Sequence, residues 1–371
     1  MNRKTIDNLF LLLKSALWQD GQYVGTMADV DWRELYELAK EQCLVGVIAD
    51  ALRFVSVGQG LGTGKLQWLA FVVRLERKNH EMNVQIGTLF RQFTTLGLSP
   101  VLLKGQAFAA NYPYPLHRQC GDIDIYFKCR EDCAKAVAWA SEVDKAAARS
   151  SDNKRDGKHF AFSLERNVVE LHYYMCLFDN DRLQQRLQAI IDEEFASASP
   201  FYVEIEGERI EAVPPTLSVL HQIVHISRHL LEAGVGLRQI CDLALFLDRH
   251  EDAIDTKKLN DYLIDLELAD VAKSLGWVMV HQLGLDERKV PFGTDDSYAD
   301  FILKEIFEGG NFGKKNIVYR KNKNGFLRKL QSVSYFYKRC RLYKPLFPSE
   351  AKSYFMNKIK QNLKLLTKHH Y

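Results

Sequence analysis

Hydrophobic and polar positions along the chain fall into three regimes. Over the first hundred residues the spacing is helical. Ile6, Leu9, Phe10, Leu13 and Leu17 recur on one face. Asp31 and Glu34 form a capping pair ahead of Leu35 and Leu38. Leu75, Met82, Ile86, Leu89, Phe90 and Phe93 predict one long helix that stops at Gly97. The period shortens after Pro100. Val101, Leu102 and Leu103 form a short apolar run, Lys104-Gly105 breaks it, and QAFAANY reads as a short helix ended by Pro113 and Pro115. CGDIDIYF then alternates as a half-buried strand does. A helix is expected over 131–141 and a polar loop over 150–158. HFAFSL and VVELHYYM read as two strands turning at Glu165, Arg166 and Asn167, with a further hairpin around Gly207. From Pro214 the helical period returns, over 216–232, 236–250 and 256–283.

These patterns divide the chain into a helical N-terminal region (1–98), a sheet-bearing core (99–212), a helical C-terminal domain (213–313) and a tail (314–371). The expected class is α+β, a mixed β-sheet core flanked by helical regions. Composition agrees with a folded soluble chain: 47% hydrophobic and 26% charged over 371 residues. The seven cysteines are odd in number and sparse, unlike a secreted disulfide framework. Cys129 and Cys133 lack the second pair a structural zinc site needs. No apolar run approaches the ~20 residues of a membrane span, and a cytoplasmic protein is expected. The formal net charge of +3 conceals a segregation: residues 314–371 hold 16 of the 50 basic residues and one acid, Glu350. The body is therefore about −12 and the tail about +15. SYFMNKIKQNLKLL places Phe355, Ile359 and Leu363 at helical spacing, so the tail is expected to dock on something. Its basic surface is either solvated or meets an anionic partner or a membrane surface.

Chemistry concentrates at Asp122 and Asp124. Two residues apart on a strand, they project from one face. Carboxylates so placed repel unless a cation lies between them. Mg²⁺ (or Mn²⁺) is the natural one, being a hard ion that takes carboxylates and phosphates together. Glu170, a charge on an otherwise apolar strand, is the candidate third acid, with His172 on its face; Glu165 at a turn is the runner-up. Lys104 could hold a phosphate, Gly105 permits close backbone approach, and Arg118 lies four residues ahead of the acidic pair. The Gly-rich VGQGLGTG at 57–64 lacks the Lys-Ser/Thr ending of a phosphate loop and reads as a connector. His221, His225 and His229 line one helical stripe, but in HQIVH an amide, Gln222, stands where a zinc protease needs its base.

VLLKGQAFAANYPYPLHRQCGDIDIYF, VVELHYYM and GVGLRQICDLALFL (234–247) together resemble the uncharacterised nucleotidyltransferases of the polymerase-beta-like superfamily. The resemblance runs over about 30–250 and extends to GNFG at 310–313. It implies a mixed sheet with flanking helices, metal-binding carboxylates at Asp122, Asp124 and Glu170, and a cleft-lining role for Arg238 and Asp242. It also implies transfer of a nucleoside monophosphate from an NTP with release of pyrophosphate. The acceptor stays open among a small molecule, a sugar phosphate, a protein hydroxyl and an RNA end. The sequence departs from the superfamily pattern at Gln106, where Gly or Ser is usual, and by the Tyr-Pro-Tyr-Pro insert before Asp122. The alternative is a nucleotide-binding or interaction protein that keeps the fold without catalysis. A nucleic-acid-binding module using the tail is a third possibility.

Overall fold

The computed structural model describes residues 2–56, 64–150, 157–232, 234–309 and 325–367. Four helices lead: α1 (Arg3–Trp18), α2 (Trp32–Glu41), α3 (Val45–Ala51) and the long α4 (Lys65–Thr95). The central region runs β1 (Pro100–Leu102), α5 (Gln106–Ala109), β2 (Ile123–Phe127), α6 (Arg130–Val143), α7 (Lys145–Arg149), β3 (His159–Leu164), β4 (Asn167–His172), α8 (Asp181–Ser197), β5 (Phe201–Ile205) and β6 (Glu208–Ala212). Helices follow: α9 (Pro215–Glu232), α10 (Leu237–His250), α11 (Thr256–Asp265), α12 (Ala269–Leu283), α13 (Ala299–Gly309), α14 (Gly325–Tyr343) and α15 (Pro348–Thr367). The fold is α+β. None of the described helices is long and apolar enough to cross a membrane.

The six strands form one mixed sheet in the order β3-β4-β2-β1-β6-β5. β2 is antiparallel to β1 and parallel to β4, and β3–β4 and β5–β6 are antiparallel hairpins. Alternation sorts the side chains to two faces. Ile123, Ile125, Phe127, Val169 and Leu171 bury one face against Met82, Ile86, Phe90 and Phe93 of α4 and Cys133, Ala136 and Ala140 of α6. The other face carries Val101, Leu103 and Tyr126 into a second core built from N-terminal and C-terminal helices together. Trp18 Nε1 donates to the carbonyl of Leu283 at 2.5 Å, and Gln42 links Ile306 O to the amide of Leu237.

The expected α4 stripe is buried, and Gly97 follows the helix with φ +73°. Asp31 caps α2 through the amides of Arg33 and Glu34, whereas Glu34 accepts from Thr5 Oγ1 at 2.5 Å instead of returning to Asp31. Two helical expectations need correction. The helix after Gly105 is a single turn. The helix expected over 256–283 is two, broken where Glu267 adopts φ +58° between buried Leu266 and Leu268. Residues 57–63 of the expected connector, 151–156 of the polar loop and GNFG at 310–313 lie outside the described residues.

The tail docks. Arg339 is buried, and its guanidinium reaches the last carbonyls of α9 at Leu230 and Leu231 (3.0 Å for Leu231) as well as Glu305, which satisfies orphan carbonyls at a helix end. Glu350, the tail's one acid, accepts from the amides of Asp179 and Asn180 at 2.7 and 2.9 Å. Among the described side chains of α15 the buried ones are Glu350, Ala351 and Tyr354. Phe355 and Ile359 are only half-buried, so the docking stripe is displaced from the expected one.

One close approach fixes how α3 meets the loop before β2. A Cβ on Gly46 would press against the carbonyl oxygen of His117 and lie 2.7 Å from Leu75 Cδ2. Backbone cannot yield as a side-chain tip can. Gly46→Ala is therefore expected to destabilise by about 1–3 kcal/mol, read as a lower urea midpoint at unchanged slope.

Candidate active site

The pairing of β2 with β4 sets the site. Parallel register puts Asp124 directly opposite Glu170 and Tyr126 opposite His172. Asp122 stands just ahead of β2. One oxygen from each of Asp122, Asp124 and Glu170 lies within 4.8 Å of the others. These acids, with Lys104, Gly105, Lys158 and Arg238, line a cavity of about 230 Å³ between the sheet and helices α9 and α10.

Asp124 is 1% exposed. Its Oδ1 takes Lys104 Nζ at 3.0 Å and His172 Nε2 at 2.9 Å. Its Oδ2 has no hydrogen-bond partner among the described residues. Burial pushes this carboxyl up, but the Lys104 charge and the His172 hydrogen bond outweigh it and hold the group well below the usual carboxylate range. Asp122 is displaced the other way: the Asp124 charge and then burial raise it. The two acids thus have opposite needs, and Asp122 is the one an added cation would relieve. Burial lowers Lys104, yet the surrounding acids raise it overall, so the ammonium persists. His172 behaves alike, raised by Asp124 and Glu170 against the pull of burial.

Gly105 has φ +66°, a conformation suited to glycine, as the chain leaves β1. Gln106 points away from the cavity. It is 3% exposed, and its Nε2 meets Met82 Sδ at 3.6 Å in the core under the opposite face. The departure at this position therefore removes a possible hydroxyl from the backbone turn without putting an amide among the acids.

Arg118 and Asp242 meet each other. Arg118 Nε and Nη2 donate to Asp242 Oδ1 and Oδ2 at 2.8 and 2.6 Å, and Tyr112 Oη donates to Asp242 Oδ1 at 2.8 Å. This bidentate pair is buried and joins the loop before β2 to α10. The Tyr-Pro-Tyr-Pro insert supplies Tyr112 to it. Arg238 does not pair with Asp242 as an i,i+4 partner. Its Nη1 donates to the carbonyl of Gln119 at 2.5 Å, and its Nε has no hydrogen-bond partner among the described residues. Glu165 is exposed at the β3–β4 turn, away from the cluster.

His225 and His229 of α9 line the cavity, their Nε2 atoms 3.2 Å apart, and His221 is buried beside them. Burial, then the positive charge of Lys104, lowers His221 and His229 to about 3, so both are neutral. Gln222 donates to Gln239 O at 3.1 Å, an inter-helix contact.

His159 and Lys158 escaped sequence reasoning. The hairpin sets His159 opposite His172, and its Nε2 lies 3.4 Å from Glu170 Oε1. The signal was present: Leu164 pairs with Asn167 across the Glu165-Arg166 turn, and counting outward pairs 159 with 172.

A family model described as uncharacterised nucleotidyltransferase matches residues 28–284. No curated protein and no solved structure matches the chain.

Proposed function

From the premise that this chain belongs to the uncharacterised nucleotidyltransferase family, we propose that it transfers a nucleoside monophosphate from an NTP to a hydroxyl-bearing acceptor in a Mg²⁺- or Mn²⁺-dependent reaction. The observation that carries this reading is the convergence of Asp122, Asp124 and Glu170, one oxygen of each within 4.8 Å of the others. Three hard oxygen donors fit a divalent ion of that class. Bound there, the ion would neutralise triphosphate charge, which is what such ions supply in phosphoryl chemistry.

The chain's own groups do the rest. Lys104, Lys158 and Arg238 bring positive charge to the cavity and would bind phosphate oxygens, while Gly105 lets backbone approach them. The cavity, about 230 Å³, is below the roughly 300–1,000 Å³ of pockets that enclose a whole ligand. We therefore assign it the phosphates and leave the nucleoside at its mouth. The acceptor hydroxyl gives its proton to Glu170, its oxygen attacks the α-phosphorus, the bond to the bridging α–β oxygen breaks, and pyrophosphate leaves. An anionic acceptor would find Lys338, Arg341, Lys344 and Lys352 exposed on the tail.

One observation favours a second reading. Lys104 Nζ already sits 3.0 Å from Asp124 Oδ1, where an ammonium can replace an ion, so the fold could bind nucleotide without turning it over. Thermal shift with each NTP, with and without Mg²⁺, separates these readings when combined with pyrophosphate release in lysate. Transfer predicts a metal-dependent shift lost in Asp122→Asn and release of pyrophosphate. A shift without release supports the second reading. Equal metal-dependent shifts in wild type and Asp122→Asn would count against transfer, and no shift with any NTP would count against both.

A further inference from the structure

A second donor set in the same wall uses nitrogen. The hairpin brings the rings of His159 and His172 to a centroid distance of 5.3 Å. Their Nε2 atoms approach different oxygens of Glu170, each at 3.4 Å: His159 to Oε1 and His172 to Oε2. The ligand atoms of the three residues lie within 4.8 Å of one another. A charge-assisted hydrogen bond would close to about 2.7–2.9 Å. A spacing of 3.4 Å is instead near the ~3.3 Å edge of a tetrahedron whose metal–ligand bonds are about 2.0–2.1 Å.

The orientation of His172 is the second observation. Its Nδ1 lies 3.3 Å from the carbonyl oxygen of Tyr174, which can only accept, so Nδ1 carries hydrogen. Nε2 then faces Asp124 Oδ1 at 2.9 Å and Glu170 Oε2 at 3.4 Å, and an ion bound there would take the place of any proton it carries. A histidine that gives its other N–H to a backbone carbonyl while its free nitrogen binds an ion is the common outer-shell arrangement of metal sites. The unpartnered Oδ2 of the fully buried Asp124 adds a further oxygen facing no donor.

We propose that His159, His172 and Glu170 form a binding site for a first-row transition-metal ion of the Zn²⁺ class, separate in donor type from the all-oxygen set that suits Mg²⁺. Imidazole nitrogen selects such ions over Mg²⁺. The site shares Glu170 with the carboxylate cluster but does not depend on nucleotidyl transfer.

Co²⁺ is the probe, because its visible absorption reports nitrogen coordination. Full-length protein stripped with chelator is titrated with Co²⁺ under saturating Mg²⁺, then with Zn²⁺. Wild type is expected to develop the absorption at one equivalent and lose it to Zn²⁺. His159 is half-buried near the sheet edge, so His159→Ala and His159→Gln should fold; both should weaken Co²⁺ binding at least 10-fold. Asp122→Asn should keep the absorption while losing the NTP-dependent shift, which makes failure of this site and failure of the transfer reading distinguishable. No nitrogen-type absorption in wild type, the result if His172 is simply an imidazolium, would overturn the proposal. So would undiminished binding in both His159 variants.

Discussion

Asp124→Asn is expected to lower pyrophosphate release by on the order of 10²–10³-fold, the scale seen when a preorganised electrostatic group is removed from an active site. The substitution preserves shape and keeps one acceptor oxygen, so His172 or Lys104 can still bond to it. What disappears is the negative charge, and Asp124 is the one member of the acidic set that is fully buried. Its Oδ1 holds two cationic groups and its Oδ2 holds none. The carboxylate therefore has capacity for one more cation, and the amide has none. Asp122, more exposed and raised by its neighbour, should be the milder position: Asp122→Asn removes a ligand but also removes repulsion. The comparison is made on initial rates at saturating Mg²⁺, with far-ultraviolet circular dichroism to verify the fold. A rate in Asp124→Asn matching wild type would mean that the charge plays no part in turnover.

Arg118→Ala should be the most destabilising of the site-proximal changes, by about 3–5 kcal/mol, because it strands a buried carboxylate. Asp242 would keep only the Tyr112 hydroxyl. Tyr112→Phe, which removes one neutral donor to a charged acceptor, should cost about 1.5–3 kcal/mol. The pair's value is local to its geometry, so Arg118→Met combined with Asp242→Leu should recover much of the loss, as apolar replacement of buried ion pairs often does. Urea denaturation of the two single variants and the double variant measures this directly. If Arg118→Ala unfolds at the wild-type midpoint, the pair contributes nothing to joining the loop to α10.

Much of this was legible in the chain. Period-two alternation around Asp122 and Asp124 located the central strand, and a charged residue on an apolar strand singled out Glu170. The β2–β4 register then made them neighbours, which no local pattern specifies, because parallel pairing joins strands distant in sequence. Arg118 and Asp242 are 124 residues apart in their mutual bond, a separation across which no local spacing points to a partner. α8 was legible too: Leu183, Leu187, Ile190 and Ile191 mark its buried stripe and Asn180 caps it at 3.1 Å, although no expected element covered it. The break at Glu267 was hidden because leucines on either side continue the apolar pattern. His159 was recoverable by counting from the hairpin turn, a step that needed the turn's two-residue length.

The clasp between Trp18 and Leu283 has a bearing on biosynthesis. Its partners are 265 residues apart, so when α1 leaves the ribosome the α12 part of its docking surface has not yet been translated. At about 5–20 residues per second the first helix waits roughly 13–53 s for α12 to emerge. Throughout that interval α1 can pack on α2 and α3 but lacks its later neighbour α12, and nascent-chain chaperones have that long to act on the face α12 will cover.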